Sequence, residues 1–240
     1  MKGTEAGAGS LAAEAYAVVR RRMVRGELAM GQGISRRQLA AELGMSFLPV
    51  SEAMLRLEFE GLLESRPRAG TRVRIPSRED VTGHYVVREA LESQAAVLFA
   101  ARATVRERGE LARLAVRVDQ GVTDGDWTAY PRVHHKLHRR IAECTNCRAL
   151  IDAIDKNNAL SSIWLCVQPV RRADAVGSRH QQLVADLCSG SSQVAAAAVR
   201  EHLRVSLEHT VVLLEPYFEL RKATGITFMR SHKRRPGLAS

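Results

Sequence analysis

The chain has 240 residues, with 36 Lys+Arg against 26 Asp+Glu and a formal net charge of +10. Its 45% hydrophobic content excludes a largely disordered chain, and only 5% aromatics beside abundant Ala, Leu, Val and Arg favours helices over sheet. No run of about 18 apolar residues is present, so no membrane span is expected. The amino terminus lacks the apolar stretch of a secretory signal, and four cysteines without one point to reduced thiols and a cytoplasmic protein.

The charge is unevenly placed. Residues 1–76 hold 12 basic and 8 acidic residues, residues 77–220 hold 18 of each, and residues 221–240 hold 6 basic and no acidic residues. The histidines run the other way, with 7 of 8 in 77–220. The first third and the end of the chain suit a polyanion, and the middle suits something that imidazoles bind.

In chain order, residues 1–9 are Gly/Ala-rich and expected to be disordered. Ser10 precedes a helical pattern ending near Gly26, and GELAMGQG reads as a connector. Ser35 can cap a short helix, RRQLAAELG, closed by Gly44. After Ser46, Pro49 suits the first turn of a third helix whose stripe is Val50, Ala53, Met54 and Leu57. In SRPRAGTRVRIP, Arg66, Arg68, Arg72 and Arg74 alternate about an Ala-Gly turn that includes Gly70, a hairpin signal. Three helices and a basic hairpin over 10–75 outline a winged helix-turn-helix. Pro76-Ser77 reads as the hinge, with Ser77 and Asp80 as a helix-starting pair.

From 77 to 220 the patterning is helical, near 77–102, 105–121, 125–145, 147–165, 178–189 and 192–218. Pro131 should bend or delay the third of these. Residues 221–240 read as a basic tail. The expected fold class is therefore mainly α: a winged helix-turn-helix followed by an all-α bundle.

Leu39, Ala40, Leu43, Gly44, Met45, Ser46, Pro49, Val50, Glu52, Ala53, Met54, Leu57, Glu58, Gly61 and Leu62 together resemble the amino-terminal domain of GntR-family bacterial transcription regulators. The resemblance implies double-stranded operator DNA as partner, a two-fold homodimer and the reading of bases by the third helix. Arg36, Arg37, Ser46, Phe47, Leu48, Ser51, Arg66, Arg68 and Gly70 fall at the implied DNA-facing positions. Two of these depart from the family pattern, which commonly has Arg where Phe47 and Ser51 stand. The apolar pair Phe47 and Leu48 suits a thymine methyl or insertion of apolar surface at the groove, not an arginine–guanine bond.

Behind this unit, His134 and His138 share a helix face that continues into Ile141 and Ala142. His180 begins a stripe with Leu183, Val184 and Leu187, and His202 lies one turn from Val199 and Val205. Several inward imidazoles need partners when neutral and repel one another when charged, and a divalent metal relieves both problems. The same spacing resembles the helical FCD domain that follows the winged helix in one large GntR subfamily. That resemblance implies a metal held by His138, His180 and His202, with His134 where the family has Asp; an all-nitrogen set favours zinc or nickel.

It also implies that Arg88, in a V-R-E-x-L-E stretch, faces an effector pocket and meets a small organic acid there, with His84 and Tyr85 nearby. The i+4 spacing equally allows Arg88 to pair with Glu92. Cys144-x-x-Cys147 reads as ordinary helix-end and core cysteine, as do Cys166 and Cys188. The expected function is a ligand-responsive DNA-binding regulator, a repressor. Two alternatives stand beside it: an effector-independent DNA-binding protein whose metal-free helical part only dimerises, and a metal-dependent hydrolase. Against the latter, the zinc-protease His-x-x-x-His motif needs Glu directly after its first His, and here that position is His135.

Overall fold

In the computed structural model, residues 5–66, 70–125, 130–166 and 179–223 are described, with side chains omitted at 5–10, 131, 159, 162, 163, 165 and 166. The element order is α1 (Glu5–Val24), β1 (Gly33–Ile34), α2 (Arg36–Leu43), α3 (Phe47–Phe59), β2 (Leu63–Arg66) and β3 (Gly70–Val73). Then come α4 (Arg78–Arg102), α5 (Val105–Thr123), α6 (Tyr130–Glu143), α7 (Arg148–Cys166), α8 (Arg179–Leu187) and α9 (Ser192–Ala223). The mainly helical fold read from the patterning is the one observed.

The amino-terminal unit is built around α1 and α3, with α2 packed across α3. Ser35 accepts a hydrogen bond from the Gln38 N–H and so caps α2, and Gly44 closes it at φ 62°. Ser46 stands at the N-cap of α3 without a side-chain capping bond. The wing is an antiparallel sheet in the order β1-β3-β2, with Ser65 opposite Thr71 and Glu64 opposite Arg72. Residues 67–69, including Arg68, lie outside the described residues. Strand β1 corrects the reading of GELAMGQG as a plain connector: its last residue, Gly33, and the adjoining Ile34 pair with Arg72 and Thr71.

Ser77 and Asp80 form a reciprocal capping box at the start of α4. Helix α4 then packs along α9, the most extensive helix contact among the described residues, and α6 and α8 each pack against α5 beside it. Helix α6 is described from Tyr130, with Pro131 in its first turn; residues 126–129 lie outside the described residues. Asn146 takes φ 53° between α6 and α7, a left-handed turn that Asn tolerates better than most residues. One buried apolar cluster runs from Val19, Met23 and Leu57 through Val73 and Ile75 to Val81, Phe99, Leu137 and Leu203. The winged unit and the bundle thus share a continuous core.

Both ends of the chain differ from the reading by composition. Helix α1 is described from Glu5, so the Gly/Ala segment before Ser10 is helical from there on. Helix α9 continues to Ala223, so Arg221 and Lys222 are helical and do not belong to a tail. Arg221 is buried, and its guanidinium donates to the Ile75 carbonyl just before the hinge. Residues 224–240 lie outside the described residues.

Candidate functional site

Two places in the fold gather functional chemistry. The first is the exposed end of the winged unit. Phe47 and Leu48 open α3 and stand 52% and 62% exposed, with Ser46 exposed before them and Ser51 half-buried one turn on. Arg37 is exposed on α2, whereas Arg36 is drawn to Glu58 at 2.7 Å, which also accepts from the Ser65 hydroxyl. In the wing, Arg72 is held by the buried Glu64 at 2.6 Å and Arg74 by Asp80 at 2.8 Å. Arg66 is half-buried, and Gly70 is exposed at φ 77° where β3 begins. The alternation of arginines therefore does not translate into four equivalent phosphate contacts.

The second place is inside the bundle. His134 and His138 project from α6, His180 from α8 and His202 from α9, and their ligand-capable atoms all lie within 4.8 Å of one another. Ring centroids are 4.5 Å apart for His134 and His138, 5.0 Å for His134 and His180, and 5.0 Å for His180 and His202. Among the described residues no other group of three or more His, Cys, Asp or Glu side chains forms such a cluster. His135, one residue along α6, is half-buried and turned out of it.

Two carboxylates that the spacing did not link to the histidines stand behind the rings. Asp119 of α5 lies 2.8 Å from His180 Nδ1 and accepts from the backbone N–H groups of His180 and Gln181, so it also caps α8. Glu92 of α4 lies 3.2 Å from His138 Nδ1, and its other oxygen accepts from Arg88 Nε at 2.8 Å. The Nε2 atoms of His138 and His180 are left buried with no hydrogen-bond partner among the described residues. Buried ring nitrogens are seldom orphaned in this way.

The electrostatics agree with the geometry. Burial, reinforced by the neighbouring imidazoles, holds His134 and His202 well below the usual histidine range. Burial also lowers His180, although the Asp119 hydrogen bond opposes it. Burial is the largest influence on Glu92 and favours its neutral form, but Arg88 and His138 outweigh it and hold the carboxyl well below the ordinary range. Asp119 behaves likewise: burial raises it, but the bonds from His180 and Gln181 outweigh burial and hold it below the ordinary range. With both acids ionised, His138 and His180 donate through Nδ1, which turns the Nε2 lone pairs toward the cluster. Imidazoles whose Nε2 atoms face one another, with carboxylates behind two of them, are a donor set suited to a divalent transition metal.

The residues implied as effector contacts are all engaged within the protein. Arg88 is buried and tied to Glu92, so of the two roles its spacing allowed, the ion pair is the one observed. His84 Nε2 is 2.7 Å from the Ser161 hydroxyl, its ring set edge-on against Trp164. The Tyr85 hydroxyl bonds Ser206 and Thr210 of α9. Beside His138 and His202 lies a cavity of about 10 Å³, lined also by Glu92, Ala95, Ile141, Ile154, Leu183 and Val199. That volume holds about one water molecule.

Winged helix-turn-helix followed by helical bundle is the architecture of a DNA-binding regulator with an appended second domain. The chain belongs to the gntR family of bacterial regulatory proteins: the model of that family matches residues 11–73, and the FCD domain model matches residues 84–205. It is 25% identical over 203 residues to the uncharacterized HTH-type transcriptional regulator YdhC of Bacillus subtilis (strain 168), covering 83% of this chain and 91% of that one. It is 28% identical over 193 residues to the probable D-xylose utilization operon transcriptional repressor of Paenarthrobacter nicotinovorans, covering 78% and 83%. Among solved structures, McbR/YncC of E. coli superposes with a TM-score of 0.69 at 22% identity, over 86% of this chain and 98% of that one. A GntR regulator from Rhodococcus sp. RHA1 gives 0.71 at 20% identity, over 84% and 98%. The protein is thus a DNA-binding transcription regulator, and its family is one of regulators and not of enzymes. No helix among the described residues is long and apolar enough to cross a membrane.

Proposed function

We propose that the protein is a homodimeric, ligand-controlled repressor whose helical domain registers a small carboxylate through a divalent metal held by His134, His138, His180 and His202. The observation that carries this reading is the convergence of four inward-facing imidazoles from three helices, two of them backed by ionised carboxylates. Such a cluster without an ion leaves polar nitrogens orphaned in the core, which costs on the order of 1–3 kcal/mol each. The all-nitrogen set favours zinc or nickel over manganese or magnesium. A bound ion supplies a Lewis-acidic centre for a carboxylate oxygen, while Asp119 and Glu92 fix the orientation of the His180 and His138 rings.

The effector side of the proposal rests on the cavity. An organic acid is larger than the single water this cavity can hold, so admitting one there requires the side chains around it to repack. A ligand shifts an equilibrium only by its preference for one packing over another, and a site that must open to bind has that preference built in. In a two-fold dimer, such repacking changes the spacing of two reading heads on two half-sites. Arg88 is the group that an incoming carboxylate can take from Glu92.

Metal analysis of protein purified without chelator, beside a His138→Ala/His180→Ala form, tests the first part. Stoichiometric metal in the former and little in the latter is expected, and equal near-zero occupancy refutes the metal. Release of bound DNA on titration with small carboxylic and hydroxy acids tests the second part. A second reading, dimerisation without an effector, is favoured by the Arg88–Glu92 pair and the small cavity. It predicts metal-independent DNA affinity that no acid alters.

A further inference from the structure

We infer that Phe47 and Leu48 read the 5-methyl groups of thymines in the major groove, so that operator choice rests on apolar contact at the tip of α3. The inference deepens the assignment of DNA binding and depends on it. From Leu39 to Leu55 the chain has no Lys, Arg, Asn or Gln. The reading end of α3 therefore has no side chain that can form the paired hydrogen bonds by which guanine and adenine are usually recognised. What it offers instead is two large apolar side chains, 52% and 62% exposed, in its first turn.

Neither residue belongs to the core, whose α3 contribution is Val50, Ala53, Met54 and Leu57 from the opposite face. Thymine is the one base of the four that presents an apolar group in the major groove. The polar groups beside the pair fit around such a contact. The exposed Ser46 makes no side-chain capping bond to α3 and keeps its hydroxyl available to any base edge or phosphate, and the exposed Glu52 is suited to accept from a cytosine amino group. Charge complementarity commits the surface to DNA in preference to an apolar protein partner. Arg37 is exposed on α2 with no ion pair among the described residues, and Arg66 lies at the wing. These cations stand on the elements before and after α3, α2 and the wing, from which phosphate contacts can accompany a base-reading helix.

The test uses the intact chain and duplexes it selects from a randomised library at low salt. Each thymine of the selected site is replaced in turn by deoxyuridine, which keeps pairing and removes only the methyl group. Affinity should fall about fourfold for each contacted methyl, the equivalent of one buried methylene-sized group. Phe47→Ala and Leu48→Ala should each abolish the penalty at their own position while binding stays salt-sensitive. Both positions are exposed, so unchanged helicity and unfolding temperature verify that the variants are folded. Full affinity for the uridine duplexes, or a penalty undiminished in both variants, overturns the inference while leaving DNA binding intact. Failure of every duplex to bind overturns the DNA-binding assignment itself.

Discussion

The carboxylate of Asp119 sits 2.8 Å from the Nδ1 of His180, a residue 61 positions further along the chain. One side chain thereby performs two tasks: it orients an imidazole of the cluster, and it caps the helix that carries that imidazole. Replacing it tests both. Asp119→Asn keeps the shape but weakens the pull on the Nδ1 proton, so affinity for zinc or nickel should fall about 10- to 100-fold. Competition against a chromophoric chelator measures this. In the metal-free protein, loss of the anionic cap should cost about 1 kcal/mol, a drop of roughly 2–4 °C in unfolding temperature.

Glu92 holds a second junction, between Arg88 and His138, with all three side chains buried. Glu92→Gln removes the negative charge and leaves the guanidinium uncompensated in the core. Breaking a buried pair from one side costs about 3–5 kcal/mol, whereas replacing both partners by apolar groups is often nearly neutral. The double variant Arg88→Met/Glu92→Met should therefore recover more than half of the stability lost by Glu92→Gln. Urea unfolding in the presence of chelator decides it, and a double variant no better than the single one contradicts the account.

These two carboxylates also mark how far the sequence could be read. The imidazole cluster was legible because helical spacing shows which way each ring faces, and three apolar stripes agreed on one interior. Half of the Glu92 role was legible as well, since its i+4 relation to Arg88 is local. Its bond to His138 and the Asp119–His180 bond were not, because nothing in local periodicity links α5 to α8. The wing shows the same limit. Alternation announces the hairpin, but Arg72 and Arg74 look free until Glu64 and Asp80 are brought against them by strand pairing and by the start of α4. Strand β1 has only two residues and is defined by its partner, so no pattern of its own could announce it. Composition assigns Arg221 to a tail; its position on α9 turns it inward to the hinge.

Cys144 is almost fully buried at the end of α6, and burial, with Glu107 nearby, pushes its thiol up to about 12. Only the thiolate reacts with alkylating agents. At pH 8.5 the native protein should leave Cys144 unmodified by iodoacetamide over hours, while the same reagent in urea labels it fully. Peptide mass mapping reads the outcome. Rapid labelling of Cys144 in the native state would show that the junction of α6 and α7 opens readily.

His84 supplies a pH dependence whose sign can be worked out. Burial first, and the Arg88 charge second, push its ring down to about 4, against an ordinary value near 6.5. Between those values the unfolded chain takes up a proton that the folded protein refuses, so unfolding is favoured as acid is added. The contribution of neutral His84 is fully present above about pH 6.5 and is lost as the pH falls toward 4, by up to about 3 kcal/mol. His84→Gln can keep a hydrogen bond to Ser161 but cannot titrate. Its stability, from urea unfolding with chelator present, should therefore fall less steeply than wild type between pH 7 and pH 5, by as much as one proton's worth of slope. Above pH 7 the difference between the two proteins should be constant. Parallel curves across the acidic range would mean that the ring protonates in place and that its packing against Trp164 and Ser161 does not hold it neutral.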